Sequence, residues 1–285
     1  MAAVGRAIYA WGVLVVFSDL DGTLLDPHDY DWRACRPALE VLSRRGIPLV
    51  LASSKTRAEL EFWRTRLGNR DPFVVENGGA VFIPSGYFPF VPAGAIERGG
   101  YQVIELGRPY QELIAALEAA AQQSGVSVLA FHTMTVSQVC RCSGLPPAQA
   151  KLAKRREYDE PFQIRGRRPP EPLLEAIERR GLRWSRGGRF YHILGNNDKA
   201  AAVELLIHSY RRAHGQIHTV GFGDAWNDRG FLELMDTPVI VRSPVAERLR
   251  VAISRARITS RPGPEGWNQA VLELLTAQAA SQVVP

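Results

Sequence analysis

Val13-Leu14-Val15-Val16-Phe17-Ser18-Asp19-Leu20-Asp21-Gly22-Thr23 is the stretch that decides the fold. An unbroken apolar run of this length, ended by polar residues, reads as a strand buried on both faces of a parallel sheet. Two carboxylates, Asp19 and Asp21, follow at once, where ligands bind in open α/β sheets: just beyond the carboxyl end of a strand. Acids this close repel and raise one another's proton affinity unless a cation lies between them. A hard divalent cation with oxygen ligands meets that need. Gly22 and Thr23 let the backbone turn sharply beside a ligand. A structural reading, loop acids that merely cap a turn, has to bear that repulsion with no cation to relieve it.

Working outward, the same rhythm repeats. Trp32 to Arg45 has helical periodicity and stops at Gly46. Pro48 to Ala52 is a second short apolar run. Thr56 to Leu67 is helical, with Glu59 three residues after Thr56 in the pattern of a capping box. Phe73 to Val75 is a third strand. Strand, helix, strand, helix, strand is the signature of a parallel sheet built from right-handed crossovers. From Pro84 to Gly100 prolines and glycines accumulate, which predicts a boundary. Beyond it, Tyr110 to Gln123, Pro147 to Arg156 and Pro172 to Arg180 read as helices. Val126 to Phe131, Phe162 to Ile164 and Leu182 to Ser185 read as strands. The parallel pattern is expected to resume with a strand at Phe190 to Leu194 and a helix from Lys199 to His214. An apolar strand, His218 to Phe222, then runs into Gly223-Asp224. Phe231 to Met235 reads as helix, Pro238 to Val241 as strand and Trp267 to Gln278 as the last helix. The expected division is therefore a core of residues 1–92 and 188–285 interrupted by an α+β insertion at 93–187.

Three further strand ends carry polar clusters. Gly223-Asp224-Ala225-Trp226-Asn227-Asp228 brings acids to the end of an apolar strand. Asp224 is placed to complete a metal site with Asp19, with Asn227 and Asp228 orienting it; Asp224 or Asn227 as a helix N-cap is equally open. Ala52-Ser53-Ser54-Lys55-Thr56 joins a strand end to a helix start, where hydroxyls and free amides suit a phosphate or simply cap the helix. Asp198-Lys199 opens a helix, and a cation there opposes the helix dipole. That placement favours a role over an ordinary surface lysine.

Composition limits the alternatives. The chain has 285 residues and a formal charge of +6, nearly all of its positive charge from Arg, with Lys only at 55, 151, 154 and 199. Length suits a core of roughly 150–200 residues plus a smaller module. The basic residues are scattered; Lys154-Arg155-Arg156 and Arg165 to Arg168 are the densest groups, and no long basic block interleaved with aromatics points to nucleic acid. Three cysteines, Cys35, Cys140 and Cys142, form no disulfide framework and suit a reducing compartment. Met1 to Phe17 is apolar but leads directly into Ser18-Asp19, so a buried first strand is expected rather than a cleaved leader. No run of ~20 apolar residues suits a membrane span. A cytoplasmic protein, monomer or dimer, is expected.

Asp-x-Asp, then Ser53, then Lys199, then Gly-Asp-x-x-Asn-Asp, each at the end of a different strand, resembles the haloacid dehalogenase (HAD) superfamily of phosphatases. The resemblance covers about residues 12–92 and 188–275. It implies an α/β fold: a HAD-like, Rossmannoid parallel-sheet core with an inserted α+β cap of the Cof-like group. It implies Asp19 as nucleophile and Asp21 as general acid and base. It also implies Ser53 as phosphate-binding hydroxyl, Lys199 as charge-offsetting cation, and Mg2+ held by Asp19, the main-chain carbonyl of Asp21, and Asp224. Four peripheral strings narrow the match: Ser53 to Glu59, Glu76-Asn77-Gly78-Gly79-Ala80, Arg156 to Phe162, and Gly263 to Asn268. These resemble the mannosyl-3-phosphoglycerate phosphatase family. The match implies hydrolysis of 2-O-mannosyl-3-phosphoglycerate to mannosylglycerate, a compatible solute. Ser53, Ser54, Asn77, Glu157 and Glu160 would then meet the phosphate or the sugar-glycerate substrate. The chain departs from the family at Ala225-Trp226, where Ser usually follows Gly-Asp, and at Arg229-Gly230. The metal ligand is untouched, but this loop borders the site and bears on substrate preference. Glucosyl-3-phosphoglycerate or a general sugar phosphate remains the enzymatic alternative. A non-catalytic binding protein would be expected to lack Asp19, Asp21 or Lys199; all are present.

Overall fold

The first described elements are a short pair, β1 (Ile8–Tyr9) and β2 (Gly12–Ser18), and a mixture of helices and strands follows. In order come α1 (Arg36–Arg44), β3 (Leu49–Ala52), α2 (Arg57–Leu67), β4 (Phe73–Val75), β5 (Ala80–Pro84), β6 (Ile96–Arg98) and β7 (Tyr101–Glu105). Next are α3 (Tyr110–Ser124), β8 (Ser127–Ala130), α4 (Val136–Ser143), α5 (Pro147–Ala153), β9 (Asp159–Arg165), α6 (Glu171–Glu178), β10 (Arg183–Arg186) and β11 (Tyr191–Leu194). The chain closes with α7 (Lys199–His214), β12 (Ile217–Gly223), α8 (Arg229–Leu234), β13 (Thr237–Arg242), α9 (Ala246–Ala252), β14 (Arg257–Pro262) and α10 (Gly263–Ser281). The computed structural model describes residues 8–9, 12–186 and 189–281. Most of the expected lead-in before Gly12, and the boundary expected at 187–188, lie outside the described residues.

The larger sheet runs β14-β13-β12-β2-β3-β4-β5-β7-β6. The strands from β14 to β4 are parallel and the rest antiparallel. The strand β2 behaves as its sequence predicts. Leu14 and Val16 enter one core with Trp63 and Trp267. Val13, Val15 and Phe17 enter the other, with Val203 and Leu206 of α7 and Phe231 of α8. Period-two alternation with both faces apolar is what a strand covered by helices on each side requires. Phe17 is fully buried, so truncating it to Ala would cost roughly 3–5 kcal/mol.

Register sets the site. Ser18 lies opposite Phe222 on β12 and Leu51 on β3, and Ala52 lies opposite Val74 on β4. The residues that follow these positions, Asp19, Ser53 and Asp224, must therefore emerge along one edge of the sheet. The chain moves from β2 toward β3 and β4, then returns on the other side with β12, so β2 stands at the topological switch point.

Two expectations about the insertion are corrected. The Pro/Gly-rich stretch to Gly100 is not a boundary: β6 and β7 pair with β5 and extend the larger sheet. Gly99 and Gly100 form the two-residue hairpin between β6 and β7, both with positive φ (59° and 82°). The twist of a tight hairpin demands that conformation, and glycine adopts it freely. Conversely, Tyr191 to Leu194 does not resume the parallel sheet. It pairs antiparallel with β9 and β10 in a second sheet of order β10-β11-β9-β8. A four-residue apolar strand carries no mark of which sheet it will join. Helices α3 and α6 cover this second sheet through Leu113, Leu117, Leu173 and Ile177 around Phe162 and Ile193.

Candidate active site

Asp19 is the centre of the edge. Its amide donates to the carbonyl of Phe222 (2.9 Å), tying the end of β2 to β12. Its carboxylate Oδ1 receives Lys199 Nζ at 2.8 Å, and the same ammonium reaches Asp228 Oδ1 at 2.7 Å. All three groups are buried. Lys199 is the first residue of α7. The Asp198 side chain caps that helix by accepting from the Ala201 amide (2.7 Å), which frees Lys199 to point inward. Asp228 is fixed in turn, since its Oδ2 accepts the amides of Asp224 (3.0 Å) and Ala225 (3.1 Å). Both of its oxygens are therefore committed, so Asp228 shapes the loop and anchors Lys199.

Oxygens of Asp19, Asp224 and Asp228 lie within 4.8 Å of one another. Burial pushes the Asp19 carboxyl up to about 7; Lys199 pulls it back, while Asp228 and Asp21 add to the rise. Asp224 is likewise raised well above the carboxylate range, by burial first and then by Asp228 and Asp19. Asp21 and Glu59 meet at Lys55, so five carboxylates in all face two ammonium groups, Lys199 and Lys55, an excess of acid. A divalent cation fits this donor set. Gly22 lets the loop pass close to Asp224. Its φ is +73°, and a Cβ there would lie 2.5 Å from Asp224 Oδ2.

Asp21 has a different environment. Its side chain is 41 % exposed and pairs with Lys55 Nζ at 2.9 Å, whereas Lys55 is buried. Burial works against the Lys55 ammonium, but Asp21, Glu59 and Tyr30 outweigh it and raise its pKa. The Tyr30 ring lies 5.0 Å from Lys55 Nζ. One carboxylate is thus clamped in the interior, and its neighbour two residues on is held at the solvent edge.

Ser53 is buried, and its Oγ accepts the Lys55 amide (3.2 Å). The capping box expected at Thr56 and Glu59 is formed, so α2 begins immediately behind Ser53. Asn77 donates its amide to the Ser53 carbonyl (3.1 Å), and Glu76 and Asn77 both have positive φ (48° and 55°). That turn joins the two sheets. The Glu76 carboxylate accepts the amides of Glu157 and Tyr158, and Asn77 Nδ2 donates to Asp159 Oδ2 (3.2 Å). Arg156 crosses the same seam and donates to the Ser54 carbonyl (2.9 Å).

The other substrate candidates part company. Glu157 pairs with Arg57 of α2 (2.9 Å) at the seam. Glu160 is fully buried in the smaller sheet, held by the His132 amide and ring (2.9 and 2.8 Å) and by the Tyr110 hydroxyl. Adjacent strand residues point to opposite faces, and here Asp159, bonded to His192 and Asn77, faces the larger domain. Asn227 is exposed and does not join the acid cluster. Lys55 was not singled out from the sequence, although the scarcity of lysine that marked Lys199 marked it equally. The Asp159–His192 pair had no sequence signal beyond lying in a strand. No described helix is long and apolar enough to cross a membrane.

Residues 16–87 match the family model of haloacid dehalogenase-like hydrolases. A glucosyl-3-phosphoglycerate/mannosyl-3-phosphoglycerate phosphatase of Methanococcoides burtonii is 38 % identical over 92 % of this chain and 97 % of its own. A mannosyl-3-phosphoglycerate phosphatase of Pyrococcus furiosus is 36 % identical over 80 % of this chain and 91 % of its own. Among solved structures, a haloalkanoate-superfamily phosphatase of Bacteroides thetaiotaomicron aligns with a TM-score of 0.65, covering 98 % of this chain and 99 % of its own at 17 % identity. The sucrose-phosphatase of Synechocystis aligns with a TM-score of 0.58 over 93 % of this chain and 98 % of its own, also at 17 % identity.

Proposed function

Because the chain belongs to the mannosyl-3-phosphoglycerate phosphatase family of haloacid dehalogenase-like hydrolases, we propose that it cleaves 2-O-mannosyl-3-phosphoglycerate to mannosylglycerate and phosphate through a phosphoryl group carried on Asp19. The observation that carries this is the contrast between two carboxylates two residues apart: Asp19 clamped by Lys199, and Asp21 half-exposed on Lys55. Environments that separate two such groups assign them different tasks.

Asp19 Oδ attacks phosphorus, and the ester bond to the glycerate oxygen breaks. Asp21 gives that oxygen a proton as it leaves. Asp21, now a carboxylate, takes a proton from water, whose oxygen attacks phosphorus and releases phosphate and free Asp19. Lys199 orients the Asp19 carboxylate and offsets charge as the phosphoryl group arrives. Ser53 and the amides at the start of α2 suit the phosphoryl oxygens. Asp19, the main-chain carbonyl of Asp21, and Asp224 would hold Mg2+, which when bound supplies charge neutralisation at those oxygens. Phosphate monoesters are among the slowest esters to hydrolyse, calling for accelerations up to ~10²¹, and positioning with charge neutralisation is the expected source.

The unit between β7 and α7 is read as a cap that closes over this edge, and strand pairing supports that division. Three unpaired cysteines support a reducing, cytoplasmic setting. The Methanococcoides relative's name includes the glucosyl compound, so both hexosyl phosphoglycerates belong in the test. Phosphate release is measured with mannosyl- and glucosyl-3-phosphoglycerate, sucrose phosphate and p-nitrophenyl phosphate, with Mg2+ and with EDTA. A clear preference for a hexosyl phosphoglycerate that EDTA abolishes is expected; equal rates on all four would sink the substrate assignment.

A further inference from the structure

A crevice of about 260 Å³ opens beside the N-terminus of α7, between the turn after Asp224 and strand β10. Its walls include Asn77, Trp184, Asn197, Lys199 and Trp226. Two of these residues also touch the active site: Lys199 through its ammonium on Asp19, and Asn77 through its amide on Ser53.

Asn197 is the informative residue. It is 4 % exposed, and neither its Oδ1 nor its Nδ2 has a hydrogen-bond partner among the described residues. Asn77 Oδ1 is also without one. A buried amide left so costs about 1–3 kcal/mol per group, and such sites in native proteins usually serve a ligand or ordered water. The charges in the wall are already matched. Lys199 is neutralised by Asp19 and Asp228, and Arg183 lies 3.7 Å from Asp198. The uncharged part of the wall includes a buried amide with donor and acceptor unmet, a second amide oxygen, the polar residues Ser185 and Asn227, and two indoles. Trp226 is 46 % exposed, a large apolar face at the mouth of a polar crevice. The Trp184 indole N–H is already spent on Glu178 (2.9 Å), so that ring offers mainly its apolar surface.

We propose that this crevice is the subsite for the uncharged sugar ring of the leaving group. Asn197 would bond neighbouring hydroxyls, and Trp226 would cover the ring's apolar face. The proposal rests on the reading of the enzyme as a hexosyl-phosphoglycerate phosphatase. Each hydroxyl both donates and accepts, which matches the unmet pair on Asn197. The C–H face of a pyranose matches an indole. An anionic glycerate finds no unmatched charge among the described residues of the wall. The volume is below the range of drug-sized pockets and suits a single ring. The Trp226 side chain also accounts for the loop's departure at Ala225-Trp226: the segment that presents Asp224 presents the sugar platform immediately after it.

The test compares wild type, Trp226→Ala and Asn197→Ala on mannosyl-3-phosphoglycerate and on p-nitrophenyl phosphate, which carries no sugar. The ratio of the two kcat/KM values is expected to fall about tenfold or more in each variant, mainly through KM for the sugar substrate. A separate titration with mannosylglycerate should change wild-type tryptophan emission, and glycerate alone should not; Trp226→Ala should lose the response. A ratio unchanged in both variants, as when Asn197 holds only water, overturns the subsite while leaving the activity intact. If wild type releases no phosphate from either hexosyl phosphoglycerate but keeps a mannosylglycerate response that depends on Trp226, the activity reading falls and the subsite stands. Trp226 is exposed, so its variant remains informative if Asn197→Ala does not fold.

Discussion

Removing the metal should make the protein's stability depend on pH through Asp19. In the metal-free fold, burial holds this carboxyl at about 7 against an ordinary 3.8. An acid with a raised folded pKa binds its proton more tightly in the folded than in the unfolded chain. Its stabilising contribution is complete below the ordinary value and is lost as pH rises through about 7. At about 1.4 kcal/mol per unit, a shift from 3.8 to about 7 sets a ceiling near 4 kcal/mol. Asp224 moves in the same direction. Asp19→Asn keeps an oxygen for Lys199 but removes the charge. In EDTA at about pH 8 this variant should therefore melt above wild type, by several degrees at ~2 °C per kcal/mol. The advantage should shrink toward about pH 5. Mg2+ at a hundredfold over its Kd should return roughly 2.7 kcal/mol to wild type and much less to the variant. Calorimetry across that pH range reads all of this. If metal-free Asp19→Asn melts at or below wild type at about pH 8, the picture of an uncompensated acid cluster is wrong.

Three other substitutions test separate parts of the edge. Lys55→Met removes the buried partner of Asp21 and should lower kcat for phosphate release by about 10²-fold or more, the range of a misplaced general acid, with the Mg2+ requirement retained. Gly22→Ala places a Cβ 2.5 Å from Asp224 Oδ2 at φ +73°, so the Mg2+ concentration for half-activation should rise at least ~10-fold, a loss of about 1.4 kcal/mol; an unchanged Mg2+ titration would contradict the geometry. Glu76→Ala strands the buried amides of Glu157 and Tyr158 at about 1–3 kcal/mol each, and calorimetry should show a melting temperature lower by several degrees.

Much of the core was legible because its signals are local. The apolar run before Asp19, the capping box at Thr56 and the helix start at Lys199 each depend on residues within a turn of one another. Register then carried them to one edge, which no local signal states but which parallel crossovers impose. The smaller unit was less legible for the same reason. Tyr191 to Leu194 has the apolar pattern of either sheet, and only its pairing with β9 assigns it. Gly99-Gly100 looked like a break because a hairpin turn and a linker share composition. In Arg156 to Phe162 the acids were visible but their directions were not. Strand alternation turns Asp159 toward Asn77 and His192 and buries Glu160 against His132. Lys55 could have been found: four lysines in a chain rich in arginine made each of them conspicuous.

The central claim is that Asp19 itself takes up the phosphoryl group. It is tested by acid-quenching the enzyme during turnover of mannosyl-3-phosphoglycerate labelled at phosphorus and mapping any label that stays on the protein. The account predicts acid-stable, base-labile label on the peptide holding Asp19, and none on Asp19→Asn, which should release no phosphate. Phosphate release by Asp19→Asn at the wild-type rate, or turnover by wild type with label on a different residue, would contradict it.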